Sequence, residues 1–320
     1  MRTLRDTVVL AKIETTYGTD AVPAGATDAL LVSDVTINPL VSQNVSRDLV
    51  RGYLGGSDQL VGPAYVEVSF SVEFVGSGTA VTAPAWGKLL KACGMVETTQ
   101  TASVDYTPDP TPTDSLSIYY YLSGQLHKLL GARGTFTLAA GVGERPLLKF
   151  RFVGKDGGLT AVTNATPTLT AWKTPLVVTD TNSTDMLFGA LTYTAATGVI
   201  SGGTPYTSKG LQFDMGNAVQ FQPLVGLESV EVNGRECTAA VSLDLTAAQA
   251  VTWQAEVKAN TATGLGFTHG TAAGYITAVH MPVVQRINPS VEDFNGNALH
   301  AYQLRVLPSA GNDEVRIVSR

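Results

Sequence analysis

Four histidines could in principle bind a metal ion or transfer a proton: His127, His269, His280 and His300. No pair of them has the spacing of metal ligands on a helix, and Cys93 and Cys237 stand alone, so no zinc pattern is present. The sequence has no Gly-x-Ser-x-Gly elbow, no P-loop and no dinucleotide fingerprint. We therefore expect no catalytic, cofactor-binding or metal-binding residues, and a protein that is not an enzyme.

Two carboxylates, Glu67 and Glu73, could suggest a pair for acid–base chemistry. They lie six residues apart, which on a strand is roughly 20 Å. Paired carboxylates that cleave glycosidic bonds lie within about 10 Å of each other. We interpret the two glutamates as part of an acidic, hydroxyl-rich strand face.

The strand that carries them runs from Gly62 to Phe74 and alternates strictly between apolar and polar residues. Its apolar positions are Val66, Val68, Phe70, Val72 and Phe74, and its polar positions are Tyr65, Glu67, Ser69, Ser71 and Glu73. Because successive side chains of a strand point to opposite faces, the pattern predicts a half-buried antiparallel strand.

A weaker copy of this pattern occurs between Cys237 and Leu245. An offset of 171 residues (242 − 71) places Ser71-Val72-Glu73-Phe74 on Ser242-Leu243-Asp244-Leu245, with apolar and acidic positions in phase. Phe150-Arg151-Phe152 likewise matches Leu304-Arg305-Val306. These matches predict two related β modules in one chain.

The order of the remaining segments predicts a mainly β protein whose modules each carry one helix. Residues 1–30 read as an N-terminal arm, 31–154 as the first module, 155–209 as a connection and 210–320 as the second module. Helices are expected over 84–95 and over 246–258, the second with Thr246 as N-cap. Whether 155–209 forms a small hairpin or domain of its own is open at this point.

The composition excludes several classes of function. Charged residues make up only 15% of the chain, against about 25% in ordinary soluble domains, which suits a subunit covered by copies of itself. The formal net charge of −6 argues against a nucleic-acid binder, which would be basic. The two cysteines are expected to be buried free thiols. No stretch approaches the ~20 apolar residues of a membrane helix, and no signal core is present, so folding in a cytosol is expected.

A long loop is predicted over residues 39–61, inside the first module. It contains Arg47, Asp48, Arg51 and Tyr53, which are residue types common in protein contacts. Long loops within compact domains are usually functional. A mobile loop facing solvent is the alternative.

Several short motifs, in order, resemble the tail tube protein of long-tailed, non-contractile bacteriophages. They are Lys12-Ile13-Glu14-Thr15-Thr16-Tyr17-Gly18-Thr19-Asp20, Ser46-Arg47-Asp48-Leu49-Val50-Arg51-Gly52-Tyr53-Leu54-Gly55, Leu60-Val61-Gly62, Lys128-Leu129-Leu130-Gly131-Ala132-Arg133-Gly134-Thr135 and Leu307-Pro308-Ser309-Ala310-Gly311-Asn312-Asp313-Glu314. The resemblance spans nearly the whole chain. It implies β-sandwich or barrel modules, each with one flanking helix, that assemble into rings, and rings that stack into a tube around a channel for DNA.

The familiar tube subunit has one module and forms hexamers, whereas this chain reads as two modules. The resemblance therefore implies homotrimeric rings with pseudo-sixfold symmetry, with a homohexamer as the alternative. Other implied partners are a tape measure protein in the lumen, and tail terminator and distal tail proteins at the ends. Phage DNA would pass without specific binding, in a virion tail assembled in the host cytoplasm.

On this interpretation the polar strand faces line the lumen, because acidic groups repel the phosphate backbone. The residues expected there are Glu67, Ser69, Ser71, Glu73, Glu236, Thr238, Ser242 and Asp244. Arg47, Asp48, Arg51 and Tyr53, together with the N-terminal arm, are expected to contact the adjacent ring.

The competing hypothesis is a two-domain β-sandwich adhesin or carbohydrate-binding protein on the virion surface. Such a protein would expose an aromatic platform, and Tyr119-Tyr120-Tyr121 is the one aromatic run in the sequence. A hydrolase has no supporting set of residues.

Overall fold

A computed structural model describes residues 6–320 of the chain. Strands hold 56% of the residues and helices 7%, which confirms the mainly β prediction. The strands are β1 Thr7–Ile13, β2 Ala29–Leu30, β3 Ser33–Ser46, β4 Gln59–Glu73, β5 Met95–Thr99, β6 Val104–Pro108, β7 Leu116–Leu122, β8 Gln125–Gly141, β9 Leu147–Ala161, β10 Met186–Thr194, β11 Val199–Tyr206, β12 Ser208–Asp214, β13 Asn217–Leu224, β14 Leu227–Arg235, β15 Thr238–Leu243, β16 Ala262–His269, β17 Thr277–Phe294, β18 Asn297–Leu307 and β19 Arg316–Ser319. The helices are α1 Gly25–Asp28, α2 Gly87–Lys91 and α3 Ala247–Lys258.

Two series of antiparallel strands pair in the same order. In the first half of the chain the series is β1-β7-β8-β9-β4-β3. In the second half it is β10-β16-β17-β18-β15-β12. The short helix α2 follows β4 and the longer helix α3 follows β15, so the elements also recur in the same order along the chain.

The two series are joined where β8 pairs with β12. Eight strands thereby form one continuous face in the order β3-β4-β9-β8-β12-β15-β18-β17. On its inner side one hydrophobic core runs through both halves. The ring centroids of Phe136 and Phe213, one from each half, lie 6.0 Å apart in that core.

Each helix places a buried tryptophan against this core. Trp86, just before α2, packs on Phe74 at 5.5 Å between ring centroids. Trp253 of α3 packs on Tyr302 at 5.1 Å. The Thr246 side chain accepts a hydrogen bond from the backbone N–H of Gln249, and the Gln249 side-chain oxygen accepts one from the backbone N–H of Thr246, so the predicted cap is confirmed. The α2 helix is shorter than the expected 84–95, since it covers Gly87–Lys91 with Ala92 as its C-cap; Gly94, with a φ of 77°, follows two residues later.

The described part of the expected N-terminal arm is not an arm. β1 pairs with β7 along its whole length, and Val9, Leu10 and Ala11 are buried. The sequence here has no apolar–polar alternation of the kind that predicts a half-buried strand. A strand covered on both sides instead shows a continuous apolar run, here Val8 to Ala11. Residues 1–5 lie outside the described residues.

The expected loop over 39–61 is mostly a hairpin. β3 continues to Ser46 and β4 resumes at Gln59, so the irregular part is 47–58. Pro39 lies within β3; proline is tolerated on edge strands, and in the described chain β3 pairs with β4 alone. The stretch 155–209 contains the hairpin of β10 and β11, and β10 joins the second series through β16.

Candidate assembly surface

The polar side of β4 lies where the alternation predicts. Val66, Val68 and Phe70 are at most 2% exposed, and Glu67 and Glu73 point to the other side of the sheet. Arg151 of β9 donates two hydrogen bonds to Glu67, at 3.0 and 2.7 Å. Arg145 donates one to Glu73 at 3.0 Å. This face therefore carries paired charges of both signs, and it is not the uniform acidic wall that the sequence suggested.

The second half presents the matching positions on the same side. Thr238 lies opposite Arg305, as Ser69 lies opposite Arg151. The offset between the halves is therefore 169 residues (238 − 69), and the sequence offset of 171 was wrong by two. A shift of two residues leaves the faces of a strand unchanged, so the sequence pattern cannot distinguish the two registers.

The remaining expected face residues differ in exposure. Ser71 is 4% exposed, and Ser69 and Ser242 are half-buried. Asp244 is exposed just beyond the end of β15, and Glu236 is exposed in the bend between β14 and β15. The eight expected residues thus belong to one sheet surface, although they are not equally accessible in the single chain.

Both ends of the eight-strand face are open in the described chain. β3 pairs with β4 on one side only. The part of β17 beyond Gln285 pairs with β18 alone. An edge strand presents unpaired N–H and C=O groups and is a template for pairing with another chain. These two edges are the most direct structural signs of self-assembly.

The loop 47–58 connects β3 to β4 and is held by its own charges. Asp58 accepts a hydrogen bond from Arg47 at 2.7 Å and one from Arg51 at 3.4 Å. Asp48 accepts one from Ser46 at 2.7 Å. The expected contact residue Tyr53 is 70% exposed. The loop therefore offers aromatic and charged groups to solvent or to a partner.

Two apolar residues of this loop are also exposed. Val50 and Leu54 are fully exposed, at 104% and 102%, because the hairpin carries them away from the core.

A hairpin of the second half, β13 and β14, folds back onto the first half and was also missed in the sequence. Val230 of β14 is buried there, and its carbonyl accepts a hydrogen bond from Arg133 at 3.0 Å. Phe221 of β13 packs on Tyr65 at 5.4 Å between ring centroids. The side-chain amide of Asn217 donates to the Gly134 carbonyl at 3.0 Å. The motif containing Arg133 thus contributes hydrogen bonds between the two halves of the chain.

Several histidines and tyrosines are buried within the fold. His269 is hydrogen-bonded to Ser183 through Nδ1 at 2.9 Å, and burial lowers its pKa. Burial also lowers the pKa of His127. Among residues 6–320 no group of three or more side chains could hold a metal ion. Tyr119 and Tyr121 pack into a small buried cluster, at 4% and 7% exposure, and offer no aromatic platform for a sugar.

Cys93 and Cys237 are free and buried, as expected. Desolvation raises the pKa of both thiols, that of Cys237 to about 12. No helix within the described residues has the length and apolar character needed to cross a membrane.

Comparison with known proteins identifies the family of the chain. No curated protein matches the chain. A family model described as phage tail tube protein matches residues 5–313, which is nearly the whole sequence. The chain belongs to the phage tail tube protein family, and it is a structural component of a virion tail.

Proposed function

We propose that this chain forms homotrimeric rings that stack into the tail tube of a long-tailed, non-contractile phage, and that DNA leaves the virion through the tube. The observation that carries the proposal is the β8–β12 joint inside the chain. This joint pairs β8 with β12 inside the chain, while β3 and the end of β17, which hold the corresponding places in the two series, have an unpaired edge within the described residues.

The argument for duplication rests on the two pairing series. β8 and β17 hold the same place in their series, and so do β12 and β3. A contact between β17 of one chain and β3 of the next would therefore repeat the β8–β12 joint. Such a head-to-tail contact closes into a ring when the rotation per module is constant. Three chains of two modules then provide the six positions of a pseudo-sixfold ring.

The pairing partners across that contact follow from the internal joint. Asp214 pairs with Thr137. Thr36 holds the place of Asp214, because it lies opposite Ser69 as Asp214 lies opposite Thr238. Ile287 holds the place of Thr137, because it lies opposite Gln303 as Thr137 lies opposite Lys149. Thr36 of one chain is therefore expected opposite Ile287 of the next.

Cysteines at these two positions test both the contact and the ring size. The double variant Thr36→Cys/Ile287→Cys should form disulfides between chains on oxidation, since the expected strand pair brings the two Cβ atoms close. Denaturing gels should show dimers and trimers and nothing larger, whereas a hexameric ring would extend the series to six. Each single-cysteine variant is the control, because a chain with one introduced cysteine cannot be linked to neighbours on both sides. Absence of any covalent dimer from assembled protein would reject the edge contact.

The lumen is assigned to the polar side of the eight-strand face, with Glu67, Ser69, Ser71, Glu73, Glu236, Thr238, Ser242 and Asp244. Non-specific DNA affinity comes from cations that neutralise phosphates. Glu67 and Glu73 pair with Arg151 and Arg145, which neutralises two of the cations on this face, while Lys149 and Arg305 of the same face stay exposed. The ion pairs are therefore the feature that supports passage of DNA without binding.

Stacking is assigned to the loop 47–58 through Arg47, Asp48, Arg51 and Tyr53. Replacing Arg47 and Arg51 with alanine should leave the modules folded, since neither side chain belongs to the core. Tube elongation should slow or fail, with a stronger defect at high salt if the remaining contacts are ionic. Electron microscopy beside thermal melting measures both. Lys258→Ala, on the exposed face of α3, is the control, and normal tubes from the folded double variant would remove the arginines from stacking.

A tape measure protein in the lumen, terminator and distal tail proteins at the ends, and assembly in the host cytoplasm complete the proposal. They rest on the family and on the open ends that head-to-tail stacking leaves.

A further inference from the structure

The strand directions define two ends of the eight-strand face. β4 leaves the loop 47–58 at Gln59 and ends at Glu73, opposite Leu147 of β9. We call the end with the loop 47–58 the loop end, and the end with the 142–146 turn the turn end. Over the fifteen residues of β4 these ends are about 50 Å apart.

A cleft of about 350 Å³ opens at the turn end, between the two halves of the chain. Its apolar lining includes Val142, Phe267 and Phe294. The register places it at the turn end, since Gly141 pairs with Gly210, beside Val142. A cleft of this size and lining is within the range of ordinary binding pockets.

Carboxylates surround the apolar part of the cleft: Asp180, Asp185 and Asp244. All three are exposed. The cleft also holds Lys209, but that ammonium is 3.4 Å from a Glu292 carboxylate oxygen and lies over the Phe294 ring. The local charge of the rim is therefore negative.

The loop end carries a segment of complementary character. Val50 and Leu54 present apolar side chains that nothing in the described chain covers. Beside them Arg47 and Arg51 share the carboxylate of Asp58, and Asp48 accepts a hydrogen bond from Ser46, so the loop presents two guanidinium groups although its net charge is zero.

We propose that the tip of the 47–58 loop of one chain inserts Val50 and Leu54 into the turn-end cleft of a chain in the adjacent ring, with its arginines facing the cleft carboxylates. The loop cannot fill the cleft of its own chain, because the length of β4 separates them. Two complementary surfaces at opposite ends of a subunit make a heterologous contact that repeats without closing, and such a contact builds a filament. This inference rests on the proposed function and names the surface that receives the stacking loop.

Paired cysteines test the contact directly. Val50→Cys combined with Thr184→Cys, an exposed position in the cleft, should give an open ladder of covalent multimers in assembled protein with a short thiol cross-linker. Cys93 and Cys237 are buried and should not react. Val50→Cys with Val251→Cys, which is 72% exposed on α3, is the matched control and should give no ladder. Tubes that form normally without a ladder from the first pair would overturn the inference and leave the tube function intact.

A charged tip provides the second test. Val50→Asp/Leu54→Asp should fold and form rings, because neither side chain is in the core, but it should not elongate. The variant rings keep an intact cleft, so a small fraction of them added to the unmodified protein should shorten its tubes severalfold. Tubes of normal length from the variant alone would contradict the inference. Failure of the unmodified protein to form rings or tubes would instead reject the proposed function, and the inference with it.

Discussion

At the residue scale, His280 is a buried base without a hydrogen-bond partner at Nε2 in the described chain. Burial, and then the charge of Arg316, lower its pKa from 6.5 to about 4. Between these values the unfolded chain binds a proton that the folded chain does not, so the free energy of unfolding falls as the pH drops from about 6.5 towards 4. The histidine thus makes the fold sensitive to acid.

We expect His280→Gln, which stays neutral at every pH, to reduce this sensitivity. Between pH 7.5 and pH 5 the free energy of unfolding of the unmodified protein should fall by about 1–2 kcal/mol more than that of the variant. Denaturant unfolding at the two pH values measures the difference. His300→Gln, at a half-buried position of β18, is the control. Equal pH dependence in the His280→Gln variant and the unmodified protein would show that His280 is not the group responsible.

Single residues of the polar sheet face could be predicted from the sequence because each alternates with a core residue. Their charge partners could not, since Glu67 meets Arg151 across 84 positions of sequence. The alternation within a strand does not indicate which other strand lies beside it. The prediction of an acidic surface failed for this reason, although the prediction of a polar surface succeeded.

At the element scale, the two hairpins β3–β4 and β13–β14 hold matching places but have different surroundings. The offset of 169 residues places Val61 at the position of Val230 (230 − 61). Val230 is 0% exposed against the first half of its own chain, whereas Val61 is 67% exposed. If modules repeat around a ring, the β3–β4 hairpin should lie on the second half of the neighbouring chain and bury Val61 there.

The same substitution at the two positions should therefore have opposite effects. Val230→Asp buries an unpaired carboxylate and should cost at least ~3 kcal/mol of folding stability. Val61→Asp should change stability by less than ~0.5 kcal/mol, yet ring formation should be lost. Thermal melting and analytical ultracentrifugation separate the two effects. Rings that form normally from Val61→Asp would argue against burial of this hairpin between chains.

Elements with strong local signals were predictable, and those fixed by distant contacts were not. Helix α3 was expected with Thr246 as its N-cap, and the structure adds that Thr246 and Gln249 form a capping box within four residues of sequence. The β13–β14 hairpin alternates only over short stretches, 219–222 and 230–232, and Phe221 and Val230 pack on the first half of the chain. Its strands form because tertiary contacts overrule a weak local pattern.

At the scale of the whole molecule, the number of strands in the eight-strand face limits the size of the proposed ring. Each chain contributes eight strands, so three chains give ~24 and six give ~48 in a closed barrel. Neighbouring strands are about 4.8 Å apart and tilt by about 40°, so a barrel of ~24 strands has a diameter of roughly 50 Å. A barrel of ~48 strands would be about twice as wide.

We therefore expect an electron microscopy map of assembled protein to show a barrel of ~24 strands with a diameter of roughly 50 Å. Successive modules around the barrel should be similar without being identical. For example, Ser69 of one module and Thr238 of the next would occupy equivalent places in the wall. Averaging with sixfold symmetry should blur side chains that threefold averaging keeps, because successive modules differ in sequence. Native mass spectrometry of isolated rings should give three chains of 33.6 kDa. A barrel with six whole chains, or a second half lying outside the wall, would contradict the threefold arrangement.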